Sequence, residues 1–358
     1  MSRSYDGNAV VYSEGVFNTT YGKTANGLVR NTHRYNVLYV IDSRCSGQDA
    51  GMVLDGRNVQ IPVVSNLKEA FTNAKRNRQR ITHFVIGIAP DGGHLDNQTK
   101  KQVKEAIQAG LNVDSGLHDF LSDDMEVINL AKEYGIIIRD IRKPPAKDSL
   151  HFFSGKIKNV TSLKIAILGT DSAVGKRTTA WKLLDSLTSA GIKTELIGTG
   201  QTAWMQGAKY NIIIDSLISD FVAGEIENII WKAWKNEKPE VIIIEGQGSI
   251  MHPAYPGGFE IIAAGRPDLI IMQHAPGRKE YDGFAGYKIH PLKDQIRVIE
   301  LLSGKPVIAI TINPENIQND QITAVYKQIK EETELPVCNP LSDSMDDIVR
   351  KIKKKIYQ

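Results

Sequence analysis

Leu163-Lys164-Ile165-Ala166-Ile167-Leu168 runs directly into Gly169-Thr170-Asp171-Ser172-Ala173-Val174-Gly175-Lys176-Arg177-Thr178-Thr179. The first six residues have the apolar, β-branched pattern of a buried strand, and the next eleven open a helix. Ala180, Leu183, Leu184, Leu187 and Ala190 continue at three- and four-residue spacing, so one helical face packs against a sheet. A glycine-bearing turn between a buried strand and a helix points its backbone N–H groups at one spot, and the helix N-terminus adds partial positive charge. Lys176 adds a full charge. The stretch therefore predicts a phosphate-binding loop in an α/β domain.

The loop departs from the common pattern G-x-x-x-x-G-K-[ST]. Thr170 stands at the first glycine position, and Gly169 sits one residue earlier. Arg177 stands where a hydroxyl normally holds the magnesium ion of a nucleoside triphosphate. Thr178 and Thr179 are displaced by one and two places, and each step turns a helix by about 100°. The loop thus favours an anionic ligand that needs no metal ion.

Outward from the loop, short β-branched runs alternate with helical patterns, the order of parallel sheets with crossover helices. Strands are expected at residues 9–12, 36–41, 84–88, 136–141, 163–168, 194–197, 241–244, 269–272 and 307–312. Helices are expected at residues 67–77, 97–109, 123–134, 176–190, 224–235, 292–302, 320–333 and 344–355. Residues 143–160, with Pro144-Pro145 and no periodicity, read as a linker. The expected organisation is a first α/β domain over residues 1–142 and a second over 161–358.

Composition bounds the partners. The 358 residues carry 44 Lys and Arg against 41 Asp and Glu, a net charge of +3 that implies no nucleic-acid partner. The basic run at residues 350–355 alternates with isoleucine and reads as the solvated face of a last helix. No apolar run nears the ~20 residues of a membrane span, and residues 1–8 lack an apolar signal core. The two cysteines, Cys45 and Cys338, have no metal-ligand spacing, so no metal site is expected and a cytoplasmic setting fits. A homo-oligomer is the base expectation.

Strand ends supply the other candidates. Glu245, in Glu245-Gly246-Gln247-Gly248-Ser249, ends a buried run and can act as a base, hold metal or serve structure. His252 and His274 are alternative bases. Gln201 and Thr202, after Gly198-Thr199-Gly200, and Gln247 suit close approach by a substrate. Arg266 and Arg278 suit a substrate carboxylate or a surface ion pair. The turn Asp91-Gly92-Gly93-His94 reads as a site edge or a plain βα turn.

Gly169-Thr-Asp with Val174-Gly-Lys, Glu245-Gly-x-Gly248 and the turn at Asn313-Pro314 resemble dethiobiotin synthetase-like P-loop proteins over the second half. A resemblance over nearly the whole chain is carried by five pieces. These are Gly22-Lys23-Thr24-Ala25-Asn26-Gly27-Leu28-Val29-Arg30, Ile88-Ala89-Pro90 with Gly92-Gly93, the loop with Val174-Gly-Lys-Arg-Thr-Thr179, Gly200-Gln201-Thr202, and Glu245–Gly248. They are similar to a two-domain family of formerly unknown function that includes D-glutamate N-acetyltransferases. This resemblance implies a Rossmann-like N-terminal domain followed by a P-loop NTPase-like domain. It further implies acetyl transfer from acetyl-CoA to a small acidic amino acid, with D-glutamate the first choice. Thr170, Asp171, Ser172, Val174, Gly175, Lys176, Arg177, Thr178, Thr179 and Asn313 would then hold the coenzyme. Neither half has a G-x-G-x-x-G turn after a strand, which argues against a dinucleotide. Two other readings stand: an ATP- and magnesium-dependent ligase or kinase with Thr178, Asp171 and Glu245 as metal ligands, and a nucleotide-binding regulator without chemistry.

Overall fold

The computed structural model describes residues 5–357, so residues 1–4 of the polar start lie outside the described residues. The chain forms two units. The first runs through Pro144 and also includes Gln201–Ala208; the second comprises Pro145–Gly200 and Lys209–Gln358.

The first unit contains β1 (Gly7–Tyr12), α1 (Lys23–Arg30), β2 (Tyr35–Ile41), α2 (Ala50–Asp55), β3 (Val63–Val64), α3 (Leu67–Arg76), β4 (His83–Ile86), α4 (Asn97–Gln108), β5 (Asn112–Ser115), α5 (Met125–Tyr134) and β6 (Ile138–Asp140). Its six strands lie in the order β3-β2-β1-β4-β5-β6, and every pairing is parallel. Alternation along β1 sends Val10 and Tyr12 into one apolar layer and Ala9 and Val11 into the other. Both faces are covered, as a parallel sheet requires. This is the doubly wound Rossmann-like arrangement.

The second unit contains β7 (Leu163–Gly169), α6 (Lys176–Ser189), β8 (Thr194–Gly198), β9 (Tyr210–Asn211), α8 (Ser219–Glu237), β10 (Val241–Glu245), α9 (Phe259–Gly265), β11 (Leu269–His274), α10 (Leu292–Ser303), β12 (Val307–Ile312), α11 (Ile322–Thr333), β13 (Val337–Cys338) and α12 (Asp346–Ile356). α7 (Gln201–Gln206) interrupts this series and packs in the first unit. The seven strands, all parallel, lie in the order β13-β12-β11-β7-β10-β8-β9. The chain builds on one side of β7 through β8 and β10, then crosses to the other side for β11 and β12. The topological switch therefore falls at β7, and the phosphate loop leaves its carboxyl end.

The stretch read as a linker differs. Residues 145–160 belong to the second unit, and the part from His151 to Ile157 meets α8, where Glu227 accepts the Ser154 N–H at 2.7 Å, the Ser154 hydroxyl at 2.8 Å and the Ile157 N–H at 3.0 Å. Its backbone N–H groups are satisfied by the carboxylates of Glu225 and Glu227 and by local turns instead of a regular ladder, which is why it shows no period. Both cysteines are buried and unbonded to each other. No helix among the described residues is long and apolar enough to cross a membrane.

Candidate functional site

β7 carries the loop on a backbone that tolerates little change. A Cβ at Gly169 would sit 3.0 Å from the Lys176 side chain, and Gly175 has φ 110°, a conformation that favours glycine. Ala173 adopts φ 49° without being glycine, which costs of order 1–3 kcal/mol and persists only where the surroundings over-determine it. Gln273, the penultimate residue of β11, braces the loop. Its carbonyl accepts the Thr170 N–H at 3.0 Å, and its amide nitrogen donates to the Val174 carbonyl at 3.0 Å. Its Oε1 accepts the hydroxyls of Thr179 and Thr311. The Thr179 hydroxyl thus points into the protein, and Arg177 and Thr178 are the partly exposed residues beyond the lysine.

Lys176 is buried at 7% exposure, and its Nζ donates to the carbonyls of Asp171 and Gly248, each at 2.7 Å. Gly246 lets the lysine stem pass. A Cβ there would meet the Ile167 carbonyl oxygen at 2.2 Å and Lys176 Cδ at 3.2 Å.

Asp171 is fully buried and is gripped from several sides. Its Oδ2 accepts Arg278 Nη1 at 2.8 Å and the Asp282 N–H at 3.0 Å; its Oδ1 accepts the Ser172 N–H at 2.6 Å. His252 Nε2 faces Oδ1 at 3.3 Å. His252 Nδ1 accepts the N–H groups of Ala254 at 3.1 Å and Tyr255 at 2.9 Å. That network assigns the ring proton to Nε2. Burial lowers the His252 pKa, Lys176 adds to this, and Asp171 opposes it. Nδ1 is thus committed to two backbone amides, while the buried Nε2 lies near Asp171 without forming a hydrogen bond. Tyr255, Tyr281 and Phe284 enclose its ring at 4.7 to 5.3 Å between centroids.

Glu245 ends β10, opposite Ile167 of β7 in the parallel register. It is 5% exposed. Its Oε2 accepts the Thr199 N–H at 2.9 Å, its carbonyl accepts the Thr199 hydroxyl at 3.0 Å, and Gln247 Nε2 donates to that hydroxyl at 2.8 Å. Burial pushes the carboxyl above the ordinary range, against the pull of Arg177, the Thr199 N–H and Lys176. A buried carboxyl with a raised pKa binds a proton more readily than an ordinary carboxylate.

His274 ends β11, and its Nδ1 lies 2.9 Å from the Thr170 hydroxyl. Burial, with help from Lys279, lowers its pKa to about 4, so the ring is neutral at working pH. Asn313, after β12, closes a turn on Glu315, accepting its N–H at 3.2 Å and donating to its carboxylate at 2.7 Å.

The nine loop residues expected to hold the coenzyme, with Glu245, Gln247, His252, His274, Arg278 and Asn313, all lie at or after the carboxyl ends of β7, β10, β11 and β12. One expectation needs correction. Arg266 caps the end of α9 and precedes β11, so it lies on the exposed, opposite edge of a parallel sheet. A six-residue strand spans roughly 20 Å, too far for this side chain to reach a ligand at the loop. Gln201 and Thr202 begin α7 and are buried in the first unit, where the Thr202 hydroxyl lies 2.8 Å from that of Thr24. Sequence reasoning passed over Gln273 and Glu315. A polar side chain late in an otherwise apolar strand was the available signal for Gln273. Among the described residues no group of three or more His, Cys, Asp or Glu side chains is arranged to hold a metal ion.

Known proteins share this architecture. A family model described as "Domain of unknown function (DUF1611_C) P-loop domain" matches residues 151–349, and its partner "Domain of unknown function (DUF1611_N) Rossmann-like domain" matches residues 43–144. The chain is 29% identical over 273 residues to a D-glutamate N-acetyltransferase of a Pseudoalteromonas species, covering 74% of this chain and 80% of that one. It is 28% identical over 264 residues to a protein of the same name from Tritonibacter scottomollicae, covering 72% and 77%. The crystal structure of a DUF1611 family protein from Anabaena variabilis superposes with a TM-score of 0.87 at 26% identity, covering 97% of this chain and 99% of that one. With its P-loop domain matched over more than half its length, the chain belongs to the DUF1611 family.

Proposed function

We propose that this protein is an N-acetyltransferase that moves acetyl from acetyl-CoA to the amine of D-glutamate or a similar acidic amino acid. The observation that carries the reading is the residue after the loop lysine. Arg177 replaces the metal-binding hydroxyl, and the Thr179 hydroxyl is spent inside on Gln273. Such a loop suits an intact diphosphate better than a triphosphate cleaved with magnesium. The names of the two curated relatives support the same chemistry.

The loop N–H groups, Lys176 and Arg177 hold the coenzyme diphosphate in this reading, and the thioester supplies the acetyl group. Glu245 takes a proton from the substrate ammonium. The neutral amine adds to the thioester carbonyl to form a tetrahedral intermediate. As it collapses the C–S bond breaks, the proton on Glu245 passes to the departing thiolate, and the second proton of the nitrogen is released to solvent, leaving the neutral amide. Backbone amides of residues 246–249 face the developing oxyanion.

The test incubates purified protein with acetyl-CoA and a panel of D- and L-amino acids, and in parallel with Mg-ATP. Thiol release that requires D-glutamate or a close analogue is the expected result. ATP consumption without thiol release would replace the reading with the ligase or kinase. Coenzyme binding without turnover of either would favour a regulator.

A further inference from the structure

We propose that Arg278 is a positioning residue for the phosphate loop, acting through Asp171 and the strained Ala173, and not a clamp for the substrate carboxylate. The inference rests on the acetyltransferase reading for its coenzyme, but its geometry stands on the loop alone. Nη1 donates to Asp171 Oδ2 at 2.8 Å and to the Ser172 carbonyl at 2.9 Å, and Nη2 reaches the Ala173 carbonyl at 3.4 Å. Nε is paired with Glu315, which Asn313 orients from behind. Burial works against the Arg278 charge, and Glu315 and Asp171 more than restore it. Its planar fork is therefore matched by two carboxylates and two loop carbonyls.

The contacts explain how Ala173 keeps φ 49°. Arg278 holds the carbonyls on both sides of Ala173, and the Ser172 N–H holds the far oxygen of Asp171. Release of that grip lets Ala173 relax toward negative φ, and the loop N–H groups then diverge. The loop is preorganised by side chains that follow the strand ends beside it.

Isothermal titration with coenzyme A and with inorganic pyrophosphate tests this on wild type, Arg278→Ala and Arg278→Lys, with KM for D-glutamate and thermal melting measured alongside. Arg278→Ala is expected to weaken both anions by about 10- to 100-fold, as small misplacements of a binding site do. Arg278→Lys should recover part of the loss, and KM for D-glutamate should hold. Ala173→Gly removes the need for strain, so Arg278→Ala should cost less in that background. If Arg278→Ala does not fold, Glu315→Gln loosens the arginine from behind and should weaken pyrophosphate in the same direction. Equal pyrophosphate affinity in wild type and a folded variant, or none in wild type, overturns the proposal. A raised KM for D-glutamate with unchanged anion affinity overturns it too, in favour of a substrate clamp. Arg278-dependent pyrophosphate binding in a protein that releases no thiol would sink the acetyltransferase reading alone.

Discussion

The ammonium of Lys176 sits 2.7 Å from the carbonyl of Gly248, so the phosphate loop and the loop after Glu245 share one cation. The same ammonium holds the Asp171 carbonyl. An arriving phosphate competes for a charge already placed between two strand ends, and any change at Lys176 is felt by both loops.

Lys176→Ala removes this charge. Coenzyme A affinity should fall about 10- to 100-fold, the equivalent of roughly 1.5–3 kcal/mol for a charged hydrogen bond. Titration with and without EDTA should give the same constant, since Arg177 occupies the magnesium-ligand position. Strong magnesium dependence would return the loop to ATP chemistry.

Glu245→Gln keeps an oxygen for the Thr199 N–H while removing the base. The rate should drop by about 10²- to 10⁴-fold. A base works deprotonated, and burial raises this carboxyl above its ordinary 4.5. The wild-type rate should therefore fall as pH drops through that raised value, and the residual rate of Glu245→Gln should lack the limb. A limb that survives the substitution would assign the proton to another group.

His274 should make stability sensitive to acid. Its folded pKa of about 4 lies below the ordinary 6.5. The unfolded chain binds the proton first, so the contribution is complete above 6.5 and is lost as pH falls from there toward 4. The total is at most about 3 kcal/mol. Urea unfolding between pH 7 and pH 4 should show a shallower decline for His274→Gln than for wild type.

Arg266→Ala should leave catalysis alone. The residue is exposed at the edge of the sheet away from the loop. KM for the amino acid should stay within about twofold, and stability within about 0.5 kcal/mol, the range of ordinary surface substitutions. A KM rise of tenfold would restore it to the site.

Long elements with a strong period were legible. The expected strand at 307–312 is β12 to the residue, and α6 runs within one residue of its expected end. Two-residue strands such as β3, β9 and β13 are too short to display alternation. β5 carries Asn112 and Asp114 and reads as a loop. Asp114 is buried there because the Tyr35 hydroxyl, at 2.6 Å, and Arg139 satisfy it from elsewhere in the chain. At the site, the placement of the loop and of Glu245 could be read because each follows from a strand end and a nearby run of residues. The role of His252 could not, because it depends on which of its nitrogens the Ala254 and Tyr255 amides occupy.

The sequence by itself determined the alternation of strands and helices, the phosphate loop at 169–179 and the substitution of Arg177 for a metal-binding hydroxyl. All of these are local, set by periods of two and 3.6 residues and by the order of neighbours along one turn. Only the tertiary structure decided that Arg278 meets Asp171, that Arg266 lies on the far edge, and that α7 packs in the first unit. Strand order in a parallel sheet is set by crossovers, and the partners it brings together lie about a hundred residues apart, as Arg278 and Asp171 do. A β-branched run states that it will be buried, and it does not state beside which strand.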